Sequence, residues 1–128
     1  MKNILIFDSA PEHRKALKCR LRARFGWKTK FKCYNQTDVF SKEIPNQALV
    51  AFFTLSNAYD LEAAFKLGAI RCWTPMIAIS EEGAESNEYC YRSYEFGTCK
   101  YYLTRPFSDK SLARALELCA EWVARKRY

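Results

Sequence analysis

Residues 48–55 read Ala-Leu-Val-Ala-Phe-Phe-Thr-Leu, an almost unbroken apolar run. Because polar and apolar residues do not alternate here, a strand in this stretch would be buried on both faces, as in the centre of a parallel sheet. Comparable runs lie at Ile4–Phe7 and Pro75–Ile79, and a shorter one lies at Lys100–Leu103. Lys28–Tyr34 instead places a lysine at every second position, which predicts an edge strand protected from pairing with other sheets.

Helical patterns occupy the segments between these runs. The first begins near Ser9–Glu12, where Ser9 is placed to cap the helix and Pro11 suits its first turn, and it ends before Gly26. Four more helices are predicted, over Asp38–Glu43, Asp60–Leu67, Ala84–Phe96 and from Ser108–Asp109 past Val123. Five strands alternating with five helices predict an α/β fold: a flavodoxin-like, doubly wound five-stranded parallel sheet with strand order 2-1-3-4-5 and helices on both faces.

The length and composition predict one globular domain over residues 1–128. The chain is 49% hydrophobic, which is enough for one core, and it is too short for two ordinary domains. No apolar stretch approaches the roughly 20 residues that a membrane helix needs, and the apolar run after the initial methionine is too short for a signal peptide, so we expect a cytoplasmic protein. The six cysteines show neither paired spacing nor a ligand-like spacing with His13, which favours structural thiols.

The formal net charge is +7, and it is unevenly placed. Residues 11–32 contain nine lysines and arginines against one acid, whereas residues 81–95 contain five glutamates against one arginine. This asymmetry makes a nucleic-acid accessory protein one hypothesis. We favour the interpretation that the basic residues form the solvated face of an amphipathic helix, because the sequence shows no helix-turn-helix or similar module for DNA recognition. No glycine-rich phosphate loop or Ser/His/Asp set occurs either, so neither an enzyme nor a bound cofactor is expected.

Four segments together resemble the CheY-like receiver domains of bacterial two-component response regulators. These are the first strand with Asp8 at its end, the fourth strand with Ser80 at its end, Phe96–Gly97, and Tyr102–Phe107, which resembles the aromatic-x-Thr-Lys-Pro-Phe stretch of that family. The likeness covers essentially the whole chain and implies a role in signal transduction.

Receivers accept a phosphoryl group from a histidine kinase on an aspartate at the end of the third strand, beside carboxylates that hold a magnesium ion. The resemblance makes Asp8 the first metal-binding acid, and Ser9 replaces the second. The acceptor position falls on Phe53, or on Phe52 or Thr54 if the register shifts by one. None of these three is a carboxylate, and a ring at position 53 is expected to fill the anionic pocket.

The remaining pocket positions depart less from the receiver pattern. Ser80 keeps the phosphate-binding hydroxyl, and Arg105 replaces the family lysine with a planar guanidinium. We expect either an Asp8–Arg105 ion pair in place of the metal or an Asp8 that serves only as a helix cap or loop end. Tyr102 matches the aromatic residue that changes rotamer when receivers are activated.

These departures predict a pseudo-receiver that holds no metal and binds a partner protein, or a second copy of the chain, without phosphorylation. The predicted contact face joins the Ala84–Phe96 helix to the fifth strand and presents aromatic side chains that suit protein interfaces: Tyr91, Tyr94 and Tyr101. Phe96 is expected in the core, and Trp27 and Trp73 are expected to pack at strand starts. A phosphorylatable regulator with an unusual acceptor is the alternative, although no acid lies between Glu43 and Asp60.

Overall fold

A five-stranded parallel sheet forms the centre of the molecule. The computed structural model describes residues 3–71, 73–81 and 84–126. The strands are β1 (Asn3–Phe7), β2 (Lys30–Tyr34), β3 (Val50–Leu55), β4 (Met76–Ser80) and β5 (Tyr101–Thr104). They lie in the order β2-β1-β3-β4-β5, and every neighbouring pair is parallel. The predicted sheet topology is therefore confirmed, including the edge position of the lysine-rich strand.

Four α-helices cover the sheet within the described ranges: α1 (Pro11–Phe25), α2 (Ala58–Ile70), α3 (Ala84–Glu95) and α4 (Asp109–Lys126). None of the helices in these ranges combines the length and the apolar character needed to cross a membrane. The short helix predicted over Asp38–Glu43 is present as a 3₁₀ helix, but its predicted bounds are wrong, because it occupies Gln36–Phe40. Asp38 lies inside this turn, where its carboxylate accepts the Asn35 N–H at 2.8 Å and fixes an earlier start.

Alternation along the strands distributes the apolar side chains between two cores. On one face, residues such as Ile6 and Phe52 pack against α1 and α4 through Leu21 and Leu116. On the other face, residues such as Phe53 pack against α2 and α3. All residues of β3 and β4 are buried, as the continuous apolar runs predicted.

The two ends of α1 differ in how well they were predicted. Gly26 ends the helix with a φ of 94°, a conformation that favours glycine, so this prediction is confirmed. The predicted Ser9 cap is wrong: Ala10 holds the N-cap position, and no side chain caps the helix. The Asp8 carboxylate accepts the Ala10 N–H at 2.9 Å, so this carboxylate organises the turn in place of a serine hydroxyl.

Three aromatic side chains that were expected to be buried are exposed: Trp27 at 90%, Trp73 at 69% and Phe96 at 76%. Each lies in a connection before a strand, because the strands begin a few residues later in the chain. The helices therefore meet these side chains only at their margins: Trp73 shares a small surface cavity with Trp122 and Val123 of α4. Phe96 makes an edge-on ring contact with Phe65, with centroids 5.8 Å apart, yet stays outside both cores.

Candidate functional site

Polar side chains meet where the parallel strands end. Asp8 directly follows β1, Thr54 lies near the end of β3, Glu81 directly follows β4, and Arg105 directly follows β5. The first turn of α1 adds His13. In open α/β sheets this edge is where functional groups gather, because the strands deliver side chains from distant parts of the sequence to one place. We refer to these five residues as the strand-end pocket.

Asp8 is the most buried charge of the strand-end pocket, with 3% of its surface exposed. Its Oδ2 atom accepts hydrogen bonds from the Thr54 hydroxyl at 2.7 Å and from Arg105 Nη2 at 2.8 Å. The other oxygen, Oδ1, accepts the Ala10 N–H. The expected Asp8–Arg105 ion pair is thus present, and the same carboxylate also orders the loop that follows β1. A carboxylate removed from water needs such partners to remain charged.

Arg105 connects two carboxylates across the ends of three strands. Its Nη1 atom donates to Glu81 Oε1 at 3.0 Å while Nη2 donates to Asp8. The Arg105 side chain is 17% exposed, so this bridge is largely shielded from water. The planar, forked donor geometry of arginine suits this bridge, which a single ammonium group of lysine could not reproduce with two parallel donors.

Thr54, and not Phe53, faces the pocket from the third strand. The Phe53 ring is buried in the core on the α2 and α3 side, where it stacks on Phe7 with ring centroids 4.9 Å apart. Phe52 is buried in the core on the opposite side. The expectation that Phe53 fills the anionic pocket is therefore wrong, because alternation turns its side chain away from Asp8. Which of these positions corresponds to the receiver acceptor stays a prediction.

The two predicted serines have separate surroundings. Ser9 is exposed in the loop after β1. Ser80 is buried, and its hydroxyl lies 2.6 Å from Asn87 Oδ1 and 3.3 Å from Thr104 Oγ1. This hydroxyl group therefore joins α3 to β5 beside the pocket.

His13 enters the pocket without any sequence signal that marked it. Its Nδ1 atom lies 3.5 Å from Asp8 Oδ2 and 3.7 Å from Glu81 Oε1. These distances exceed those of a hydrogen bond, and Nδ1 is buried without a hydrogen-bond partner among the described residues. Only the three-dimensional arrangement of the strands could have indicated that His13 lies beside Glu81, since Glu81 follows a strand far along the chain.

Asp60 adds a second buried carboxyl near the pocket. It accepts the Ser56 N–H at 2.8 Å in the loop between β3 and α2. Burial raises the pKa of the Asp60 carboxyl above its usual range; the Ser56 hydrogen bond opposes this shift, and the negative charge of Asp8 adds to it. The Asp60 carboxyl in the loop after the third strand is therefore coupled electrostatically to the negative charge of Asp8.

The predicted tyrosine contact face is assembled only in part. Tyr91 and Tyr94 are exposed on α3, and the Tyr94 ring meets the Tyr102 ring edge-on with centroids 5.6 Å apart. Tyr101 packs partly against the core on the α4 side, so it lies across the edge strand from the other three. We call the remaining three residues, Tyr91, Tyr94 and Tyr102, the tyrosine face.

Solved structures provide the clearest comparison, since no family model and no curated protein matches the chain. A response regulator receiver domain protein from Clostridium thermocellum superposes with a TM-score of 0.72 at 15% identity, covering 99% of this chain and 98% of that one. A CheY-like receiver domain protein from Methanospirillum hungatei gives 0.71 at 13% identity, covering 98% of both chains. The protein therefore has the fold of CheY-like receiver domains.

A third similar structure carries a metal ion. The receiver domain of a sensor histidine kinase from Pseudomonas aeruginosa has a magnesium ion coordinated in its active-site cleft; it matches with a TM-score of 0.71 at 18% identity, over 96% of this chain and 98% of that one. In the present chain Asp8 is the only carboxylate among the three expected acid positions, and a guanidinium nitrogen already lies 2.8 Å from it. These residues do not fit the magnesium arrangement of receivers, which draws on several oxygen ligands.

Proposed function

We propose that this chain is a signalling domain with a receiver fold that acts by binding a partner protein and is not phosphorylated at its strand-end pocket. The observation that carries the proposal is the position of Arg105, whose guanidinium group joins Asp8 to Glu81. A cationic side chain of the protein thus takes the place that a catalytic metal ion would need.

The chemistry of phosphoryl transfer supports this reading. Transfer to a receiver needs a nucleophilic carboxylate and a metal ion that neutralises the charge of the transferring group. The third strand presents Thr54 to the pocket, and the hydroxyl group of Thr54 donates a hydrogen bond to Asp8. A neutral hydroxyl held as a donor is a poor substitute for an aspartate nucleophile.

The tyrosine face supports a role in binding. Tyr91 is 53% exposed and Tyr94 is 47% exposed, and both lie on the same side of α3. Tyrosine provides a large contact area together with a polar hydroxyl, and it is enriched at protein interfaces for this reason. The partner that fits this face is another signalling protein or a second copy of the chain.

The first test measures phosphorylation directly. The purified protein is incubated with magnesium and acetyl phosphate, and intact-protein mass spectrometry is used to detect the phosphorylated form, with an authentic receiver domain treated in parallel. We expect labelling of the authentic receiver and none of this protein. Stoichiometric, acid-stable or hydroxylamine-sensitive labelling of the wild-type chain would contradict the proposal.

Aspartate variants on the third strand sharpen this test. Phe53→Asp places a charge in the apolar core, so its failure to be labelled would be uninformative about the pocket. Thr54→Asp places a carboxylate beside Asp8 and keeps the core intact. We expect no labelling of Thr54→Asp either, because Arg105 still bridges the neighbouring carboxylates.

A second test concerns the contact face. The variants Tyr91→Ser and Tyr94→Ser are compared with Tyr59→Ser, which removes an even more exposed tyrosine from α2 on another part of the surface. Partner capture, or self-association measured by sedimentation, should fall in the first two variants and persist in the third. Equal loss in all three would point to a surface other than the tyrosine face.

A further inference from the structure

We propose that the amino edge of the sheet carries a binding surface for single-stranded nucleic acid, formed by Trp73, Phe96, Lys100, Trp122 and Lys126. These residues come from the connection before β4, the connection between α3 and β5, and the last turns of α4. We call them the aromatic-basic surface. The proposal goes beyond the partner-binding function, and it uses none of the residues of the tyrosine face.

Two lysines are held together over one indole ring. Lys100 Nζ lies 4.5 Å from the centroid of the Trp122 ring, and Lys126 Nζ lies 5.6 Å from it. Such cation–π contacts fix where an ammonium group lies. Lys100 also donates to the Gly97 carbonyl at 2.9 Å, which uses one of the three N–H donors of its ammonium group. Donors therefore remain for an anionic ligand.

The two lysines bring positive charges together without an acidic partner. Among the described residues, neither ammonium group forms an ion pair with a carboxylate. Burial and the charge of Lys126 lower the pKa of the Lys100 ammonium group, so its charged form is disfavoured here. A phosphate group beside both lysines would relieve this repulsion. The local charge thus favours an anionic ligand, and the net charge of +7 would attract it.

An exposed indole lies next to these lysines. Trp73 is 69% exposed, and it borders a cavity of about 190 Å³ together with Trp122, Val123 and Lys126. This volume is below the roughly 300–1,000 Å³ of a pocket for a drug-sized ligand, so the cavity suits a single planar ring. A nucleic-acid base stacked on Trp73 would have its phosphate groups close to Lys126.

A second aromatic ring continues the surface on the other side of Lys100. Phe96 is 76% exposed, and it borders a separate cavity of about 300 Å³ together with Lys100 and Arg71. Among the described residues, no acid lines either cavity. Aromatic rings and cations therefore follow one another along this edge, in the order Phe96, Lys100, Trp122 and Trp73.

This arrangement matches the chemistry of an unpaired strand. Proteins that bind single strands stack successive bases on aromatic side chains and follow the phosphates with positive charges. In a duplex the bases are already paired and stacked on one another, so their faces are closed to Trp73. An acidic peptide would satisfy the lysines but would leave the indole and phenyl rings in solvent.

The test measures binding of a fluorescein-labelled oligothymidylate to the full chain by fluorescence anisotropy at low salt. A length of about 12 nucleotides lies within the site sizes of established single-strand binders. Trp73→Ala should weaken binding by roughly 5–150-fold, the effect of losing one stacked base. The matched control is Trp27→Ala, which removes an even more exposed indole from another connection and should bind like the wild type.

Charge variants test the phosphate contacts separately. The double variant Lys100→Gln/Lys126→Gln should bind more weakly at low salt, and its plot of log affinity against log salt should be shallower by about 0.7 per lysine. Lys30→Gln/Lys32→Gln removes the same charge from exposed positions of β2 and should lose far less affinity. Circular dichroism establishes that each variant is folded before titration.

Four results would overturn the proposal. These are no binding of the oligonucleotide by the wild type at low salt, wild-type affinity in Trp73→Ala, equal losses in the two double lysine variants, or binding of a duplex of the same length that depends equally on Trp73. Competition by polyglutamate as effective as that by unlabelled oligothymidylate would also overturn it, because the surface would then recognise an acidic peptide.

Discussion

At the carboxyl edge of the sheet Asp8 is 3% exposed, whereas at the amino edge Trp27 is 90% exposed. A charged side chain is buried at one edge of the same sheet, and a large apolar one lies in solvent at the other. The difference follows from the available partners: Asp8 meets a hydroxyl group and a guanidinium group, while Trp27 lies in the connection between α1 and β2 and belongs to neither of the two cores. Burial at a sheet edge is thus decided by neighbouring groups, and the polarity of the residue alone predicts it poorly.

The largest effect is expected from the removal of Arg105. Arg105→Ala leaves the buried Asp8 carboxylate without its ion pair, and breaking such a pair costs about 3 kcal/mol of unfolding free energy. Urea denaturation at pH 7 measures this loss. The double variant with Asp8→Asn should recover part of it, because the unpaired charge is then gone. A loss below about 1 kcal/mol would mean that water replaces the guanidinium group at this edge.

The hydroxyl of Thr54 should contribute less. Thr54→Val keeps the shape of the side chain and removes the 2.7 Å hydrogen bond to the charged Asp8, which should lower the unfolding free energy by about 1.5–2 kcal/mol. Thr37→Val, at an exposed position of the 3₁₀ helix, is the matched control and should be nearly neutral. Equal effects of the two variants would show that the Thr54 hydroxyl contributes no more to stability than that of an exposed threonine.

The buried thiols between the two edges predict that the unfolding free energy decreases at alkaline pH. Burial raises the pKa of Cys119 from 9.0 to about 12 and that of Cys99 to about 11. The unfolded chain loses these protons first, so the contribution to stability is complete below pH 9 and is lost as the pH rises from 9 towards about 11–12. Cys119→Ala should flatten the decline in unfolding free energy by about 1 kcal/mol per pH unit in this window. An unchanged slope would contradict the burial of Cys119.

The smallest effects are expected at the amino edge. Trp27→Ala and Trp73→Ala remove large apolar side chains from solvent-exposed connections, so each should change the unfolding free energy by no more than about 0.5 kcal/mol. Thermal and urea denaturation of both variants provide the measurement. A loss above about 1 kcal/mol in either variant would show that the indole ring packs against the domain, and the contrast between the two edges would disappear.

Several site residues could be predicted because their positions follow from the strand ends. Asp8 and Arg105 each follow an apolar run, and their opposite charges pointed to the ion pair that is present. Phe53 was misplaced for a geometric reason: alternation assigns neighbouring residues to opposite faces, but the sequence does not show which of two neighbours faces a given pocket. His13 escaped notice because its spacing from the other pocket residues matches no ligand pattern.

Local patterns in the sequence determined the strands, their order and the buried faces, since apolar periodicity, helix-ending glycines and right-handed crossovers act over short distances or as general rules. Only the tertiary structure decided which polar groups meet, because five separate segments deliver the side chains of the strand-end pocket. It also decided that Trp27, Trp73 and Phe96 lie in solvent, since their burial depends on where a neighbouring layer ends and not on their own polarity.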